Sequence, residues 1–333
     1  MQTPFWKPNI YARHAAHRAA RRTIVRTIRR FFERRGFAEV DTPALQISPG
    51  LETHLRAFRA EGYLLHTSPE FAMKKLIVAG MPRIFQLAHA YRNEPKSDTH
   101  HPEFTMLEWY RAQTDYRAMM RDTIALVRAC ARACGVAELR HRSRTCDPFR
   151  PWRKLTIAQA FRQYAGVDVM RSLPDENNAL PDPGPLRAQA EKIGISCADS
   201  DTWEDVFFRI MLNKVECHLG DGVPTILYEY PACLGALARR KPGNPRVVER
   251  FEAYACGLEL CNAFSELTDA DEQAARFAHE IAQKKKLYGE TYPMDEDFLA
   301  ALRYGMPPCS GNAVGADRLV MLISGAEKIE DTL

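Results

Sequence analysis

No aspartate or glutamate precedes Glu33, although Arg13, Arg18, Arg21, Arg22, Arg26, Arg29 and Arg30 all do. An arginine-rich, acid-poor start is the composition of a transit peptide. Ile24, Val25, Ile28, Phe31 and Phe32 nevertheless fall near helical spacing within it, a continuity that a removable leader does not need. Nor is there an apolar run long enough for a signal anchor or a membrane span. The nine cysteines, an odd count, include no CxxC pair. That argues against a disulfide framework and a CxxC metal site, and suits a reducing, cytoplasmic compartment. Cys130 and Cys134 sit four apart on an expected helix without two further ligands nearby, so they read as small apolar residues. There is no GxxxxGK[ST], which excludes a P-loop. No GxGxxG follows an early strand, which excludes a Rossmann dinucleotide site. The net charge of +4 says little about partners.

What is present is a soluble-type composition with 46% hydrophobic residues over 333 positions, ample for one large core. A helix is expected at about 12–35, stopped by Gly36, then a short strand in FAEVDTPAL (37–45) and another in YLLHTS (63–68). Ser68-Pro69-Glu70 has the pattern of a helix start, with serine as N-cap. RIFQLAHAYRNE (83–94) and EFTMLEWYRA (103–112) read as paired strands, and 117–134 as a helix. About 135–200 has weak periodicity and a proline-rich stretch, LPDENNALPDPGP, and reads as an insertion or surface excursion without a second core. Residues 202–219 read as a helix, 225–231 as a strand, 250–264 as a hairpin turning at Cys256-Gly257, and 269–289 as a polar helix. GADRLVMLISG (315–325) closes the chain as a strand-to-helix junction or a helix. Hairpin-linked strands with helices between them imply a single α+β domain, 1–333, built on an antiparallel sheet.

Strand side chains alternate between faces. Phe104, Met106, Glu108 and Tyr110 therefore share one face of 103–112, and Arg92 and Glu94 share a face of the partner strand. A core face would be apolar throughout, because unpaired buried charge is costly. An arginine fork suits a phosphate, a phenylalanine ring can stack a flat base, and His100 and His101 can donate to further oxygens. A solvated face with surface ion pairs explains the same pattern about as well when this strand pair is taken alone. Glu252 and Glu259 flank the Cys256-Gly257 turn, so a hairpin can set them opposite each other. Two close carboxylates repel unless a cation lies between them, and magnesium takes one or two carboxylates plus phosphates. Glu266 can hold a ligand ammonium. In GNAVGADRL (311–319) the glycines permit close approach of backbone to ligand, with Arg318 beyond them.

Together these residues resemble a known family. RNE followed by HHPEFTMLEWY resembles motif 2 of class II aminoacyl-tRNA synthetases of the lysine type, and GNAVGADRLVML resembles their motif 3. The arginine-rich helix with VDTPAL resembles motif 1, the dimer-forming element, and GLELCNAFSELTDADEQAARF the segment before motif 3. Only a short tail precedes motif 1, where a lysyl-tRNA synthetase carries an anticodon-binding barrel. That arrangement is similar to the elongation factor P–(R)-β-lysine ligase family, free-standing synthetase cores that modify a lysine of a translation factor.

The resemblance implies a class II synthetase core without an anticodon domain, working as a homodimer with ATP and Mg2+. It implies an ATP set of Arg92, Asn93, Glu94, His101, Phe104, Glu259, Leu260, Gly315 and Arg318. Arg92 would grip the α-phosphate and the amino-acid carboxylate, Glu94 the adenine amine, and Phe104 would stack on the ring. Gly315 would face ATP, and Arg318 would clasp its γ-phosphate. His101 stands where the family has asparagine, and a histidine can still donate. Substrate residues implied are Ser68, Pro69, Glu70, Glu108, Tyr110, Asn262, Glu266 and Ala313. Glu70 would take the backbone-side amine; Glu108, Tyr110 and Glu266 the distal ammonium; Asn262 the carboxylate. Glu252 and Glu259 would bind magnesium. Ala313 replaces the middle glycine of GxGxGxDR, and its methyl is expected to disfavour α-lysine against (R)-β-lysine. The expected partner is elongation factor P, with tRNA and membranes not expected. A minimal lysyl-tRNA synthetase, an asparagine synthetase of the same fold and a silent, partner-binding paralogue are the rival readings.

Overall fold

The computed structural model describes residues 6–174, 180–235 and 237–333. The arginine-rich segment forms helix α1, Ala15–Glu33, which buries Ile24, Ile28, Phe31 and Phe32 along one face. A separate short helix, Pro8–Arg13, precedes it, so the expected single helix is broken at His14. The chain leaves α1 through Gly36 in the left-handed region (φ 73°), where a side chain would be strained. The basic face is not wholly solvated. Arg21 turns inward to pair with buried Asp317 and donates to Thr105 Oγ1 at 2.7 Å, while Arg29 meets Glu39 at 3.0 Å.

The elements that follow are β1 (Ala38–Glu39), α2 (Glu70–Val78), β2 (Arg83–Tyr91), β3 (Glu103–Ala112), α3 (Tyr116–Ala133), β4 (Arg153–Thr156), α4 (Trp203–Ile210), β5 (Thr225–Pro231), β6 (Asn244–Ala255), β7 (Leu258–Ser265), α5 (Ala270–Tyr288), α6 (Glu296–Gly305), β8 (Cys309–Gly315) and α7 (Ala316–Ser324). One sheet runs in the order β1-β2-β3-β8-β7-β6-β5-β4, with Arg240–Lys241 pairing on β6. Its two outer pairs, β1 with β2 and β4 with β5, are parallel, and every pairing between them is antiparallel. A mostly antiparallel sheet with helices on both faces is the α+β architecture expected.

Strand alternation sorts the two faces. Leu107 and Trp109 of β3 pack with α1, α3 and α7, where Phe32 stacks on Phe85 at 4.8 Å. Tyr110, on the opposite face, packs with Phe71 of α2, Phe277 of α5 and Phe298 of α6. The cleft described below opens on that second face.

Two expectations need correction. The stretch 135–200 is not without a core: Ile157, Phe161, Val169, Leu186 and Ala190 are buried with Trp203, Phe207 and Tyr230. Within it β4 also joins the main sheet. Phe161 and Val169 come from short turns, a π-helical one at Phe161–Ala165 and a 3-10 one at Val169–Ser172, Ile157 from the short helix Ile157–Ala160, and Leu186 and Ala190 from the helix Pro183–Lys192, so no one period runs through the stretch. Residues 175–179 of the proline-rich stretch lie outside the described residues. The expected helix over 202–219 is regular only to Ile210, then passes through a π-helical turn and a 3-10 turn. No helix among the described residues is long and apolar enough to cross a membrane.

Candidate active site

Helix α2 begins one residue later than its sequence pattern suggests. Pro69 is the capping position, yet Ser68 Oγ still accepts the Glu70 N–H at 3.0 Å. The same hydroxyl lies 2.9 Å from both carboxylate oxygens of Glu108, and the Tyr110 hydroxyl donates to Glu108 at 3.3 Å. Glu70, Glu108 and Glu266 are all buried, at 8%, 2% and 1% exposure. They line one cleft with Ser68, Tyr110, Asn262 and Ala313. Burial, reinforced by the charge of Glu70, pushes the Glu108 carboxyl well above its usual range. Burial also raises Glu266 to about 8 against the pull of Lys74. Three carboxylates held this far from water are costly unless cations neutralise them. Lys74, itself 1% exposed, supplies one, paired with Glu70 and with Glu266 at 2.5 Å. With all four groups ionised the pocket carries a net charge of −2, complementary to a ligand with two ammonium groups.

At the other end, Arg92, Glu94, Phe104, Leu260, Gly315 and Arg318 line the same cleft. Arg92 and Glu94 do not share a strand face as expected, because β2 ends at Tyr91. Arg92 N–H donates to Pro102 O, Asn93 N–H to Arg56 O, and Glu94 N–H curls back to Arg92 O, at 2.8, 2.7 and 2.8 Å. Pro95 then has no N–H to continue a ladder. The Arg92 guanidinium sits 5.2 Å from the Phe104 ring centroid, and its Nε reaches Thr67 O at 3.4 Å. His101 lines the cleft, but its Nδ1 lies 2.6 Å from its neighbour's carbonyl, Glu103 O. His100 is the histidine at Arg318, accepting from Nη2 at 2.9 Å, and its pKa is lowered by burial and then by that guanidinium. Asn93 and Pro69 are not among the residues lining the cleft.

The hairpin β6–β7 turns at Cys256 and Gly257, both in the left-handed region (φ 53° and 78°), as a two-residue hairpin turn requires. Its register corrects one expectation. The two-residue turn sets Glu259 opposite Tyr254, and a bulge between Ala253 and Tyr254 then puts Glu252 opposite Asn262, so the two glutamates are not cross-strand partners. Glu252 is buried and accepts from Tyr230 at 2.5 Å, Tyr254 at 2.6 Å and Arg250 at 2.6 Å. Glu259 reaches the cleft with 40% of its side chain exposed, 3.8 Å from Arg318. Burial of its carboxylate and the charge of Glu252 raise it to about 7. Among the described residues no group of three or more His, Cys, Asp or Glu side chains is arranged to hold a metal ion. That fits a magnesium ion taking one or two carboxylates here and the rest from phosphate oxygens. Of the two carboxylates Glu259 lines the cleft, whereas Glu252 does not and has both oxygens hydrogen-bonded.

Several side chains of the site escape the sequence reading. Arg250 donates from Nε to Asn262 Oδ1 at 3.0 Å, which leaves the amide N–H groups of Asn262 to donate to a carboxylate. Its signal was present: Arg250, Glu252 and Tyr254 alternate along one face of β6. Asp317 accepts from the Thr105 backbone at 2.6 Å and pairs with Arg21, tying α7 to α1 and β3. Lys74 gave no such signal, since a lysine one helical turn after a glutamate is ordinarily a surface pair.

Known proteins resemble this chain over most of its length. Residues 12–333 match the family model described as tRNA synthetases class II (D, K and N). An elongation factor P–(R)-β-lysine ligase of Vibrio vulnificus is 36% identical, over 98% of this chain and 96% of its own. The corresponding ligase of Yersinia enterocolitica is also 36% identical, over 100% and 97%. A lysine–tRNA ligase of Magnetococcus marinus is 38% identical over 94% of this chain, but the match spans only 62% of that relative's length. With its sheet order, its cleft and this match over nearly the whole chain, the protein belongs to the class II tRNA synthetase family (D, K and N).

Proposed function

We propose that this protein is an ATP-dependent ligase that activates (R)-β-lysine, or lysine, and transfers it to the ε-amine of a lysine on elongation factor P. The observation that carries the proposal is the cleft floor: three buried carboxylates against one buried lysine, an excess that a diamino acid would meet. The full-length likeness to proteins named for that transfer supports the choice of acceptor. The lysine–tRNA ligases at similar identity favour a second reading, charging of tRNA.

The proposed chemistry has two steps. Glu70 and the Glu108–Glu266 pair hold the two ammonium groups, and Asn262 and Arg92 receive the carboxylate. That carboxylate attacks the α-phosphorus of ATP, whose adenine stacks on Phe104, and pyrophosphate leaves. Arg92 and Arg318 neutralise charge as it develops, a stabilisation that acts strongly in a site shielded from water. Glu259, with Glu252 behind it, would hold magnesium, which when bound would neutralise charge on the phosphates. The acceptor amine then attacks the acyl carbon, AMP departs, an amide forms and the amine proton is released. We further propose that the protein works as a homodimer in the cytoplasm.

The test offers elongation factor P in one tube and total tRNA in another, each with ATP, magnesium and either lysine isomer. The expected result is a β-lysyl mass increment on the factor by intact mass, and uncharged tRNA by acid gel. Charged tRNA with an unmodified factor overturns the proposal in favour of the second reading.

A further inference from the structure

Lys74 lies behind the cleft wall and not among the residues that line it. Its ammonium pairs with Glu70 Oε1, four residues earlier on α2, and with Glu266 Oε2 just beyond β7. Phe264 and Phe298 enclose it, with ring centroids 5.3 and 5.8 Å from Nζ. Each glutamate thus gives one oxygen to the lysine. Glu266 Oε1, the oxygen not paired with the lysine, lies against Gly311 and the Tyr110 ring, two residues of the cleft wall. An added Cβ on Gly311 would stand 2.7 Å from that oxygen and 2.3 Å from Tyr110 Cε1, so the position admits no side chain beside the carboxylate.

We propose that Lys74 is a positioning residue that ties the two amine subsites together, fixing the distance between Glu70 and Glu266 and aiming the remaining oxygen of each at the substrate. This rests on the diamino-acid reading of the cleft. A cation shared by the two carboxylates makes their placement common: losing it frees both subsites at once and leaves like charges facing each other. The charged and titratable groups around Glu266 are Lys74 and Glu70 from α2, Glu108 and Tyr110 from β3, and Cys309 from β8, with Arg239 acting on Cys309. Among the groups that bear directly on Glu266, Lys74 is the cation, so its removal moves ionisation of the carboxylates to higher pH.

The experiment measures pyrophosphate exchange with (R)-β-lysine, 3-aminohexanoate and 6-aminohexanoate, each analogue lacking one amine. For Lys74→Met, kcat/KM for (R)-β-lysine is expected to fall about 100-fold, within the range for truncating one partner of a buried charge pair. Preference for the diamino acid over both analogues should shrink together, the KM for ATP should hold, and activity should recover in part as pH rises. A folded Lys74→Met enzyme that keeps the wild-type preference and pH profile overturns the proposal. Should Lys74→Met fail to fold, Lys74→Arg carries the test: its changed reach should weaken both preferences together, and unchanged preferences overturn the idea. A wild-type enzyme with no preference for the diamino acid refutes the underlying reading of the cleft instead.

Discussion

Ala313 stands in β8 opposite Glu108 of β3 on one side and Asn262 of β7 on the other. Its methyl therefore lies between the side chains proposed to hold an ammonium and the carboxylate, where moving an amine by one carbon changes the fit. Ala313→Gly is expected to raise kcat/KM for α-lysine relative to (R)-β-lysine by about 10–200-fold, the range for one methylene-scale difference. Pyrophosphate exchange with each isomer measures it, and an unchanged ratio removes Ala313 from the specificity argument. At this scale most of the cleft was legible in advance, because motif residues such as Arg92, Glu108, Glu266 and Arg318 carry the chemistry in their own side chains. His100 against His101 was not legible. Adjacent histidines on a loop have no fixed period, and only the folded loop decides that His100 meets Arg318.

The hairpin β6–β7 carries Arg250, Glu252, Glu259 and Asn262, so its turn sets the site. Gly257 has φ 78°, and an added Cβ would lie 2.6 Å from Arg144 Nη1. Gly257→Ala is expected to cost about 1–2 kcal/mol, from the left-handed backbone and the displaced guanidinium. Urea unfolding should show that loss, and the KM for ATP should rise while that for (R)-β-lysine changes little. The turn was readable from Cys256-Gly257, and a two-residue turn there already sets Glu259 opposite Tyr254; what the alternation hid is the one-residue bulge that shifts Glu252 from facing Cys261 to facing Asn262. Likewise β2 stops short of Arg92 because a backbone turn competes with the ladder there.

Across the whole molecule, the acidic cleft links stability to pH. Glu266 is raised from 4.5 to about 8 and Glu259 from 4.5 to about 7. A carboxyl raised by folding binds its proton more tightly in the native state, so between pH 4.5 and 8 the native protein holds more protons than the unfolded chain. Stability of the free protein is then expected to fall as pH rises through that window, by on the order of several kcal/mol for fully buried Glu266. Melting temperatures from pH 5 to 8.5 check the sign, and saturating (R)-β-lysine should flatten the slope by supplying the missing cations. A melting temperature that rises across the window would contradict the charge arrangement described.

By itself the sequence determined the α+β class, the polar face of β3 and the identity of most of the polar groups named in the cleft wall. Those follow from alternation along a strand and from side-chain chemistry, both local. The tertiary structure decided the rest: the apolar cluster gathered from short turns and helices around Phe161 and Trp203, the pairing of Arg21 with Asp317, and the burial of Lys74 between Glu70 and Glu266. The physical reason is common to all three. Whether a charge is solvated or becomes a buried counterion depends on which distant segments pack around it, and no local period in the chain records that.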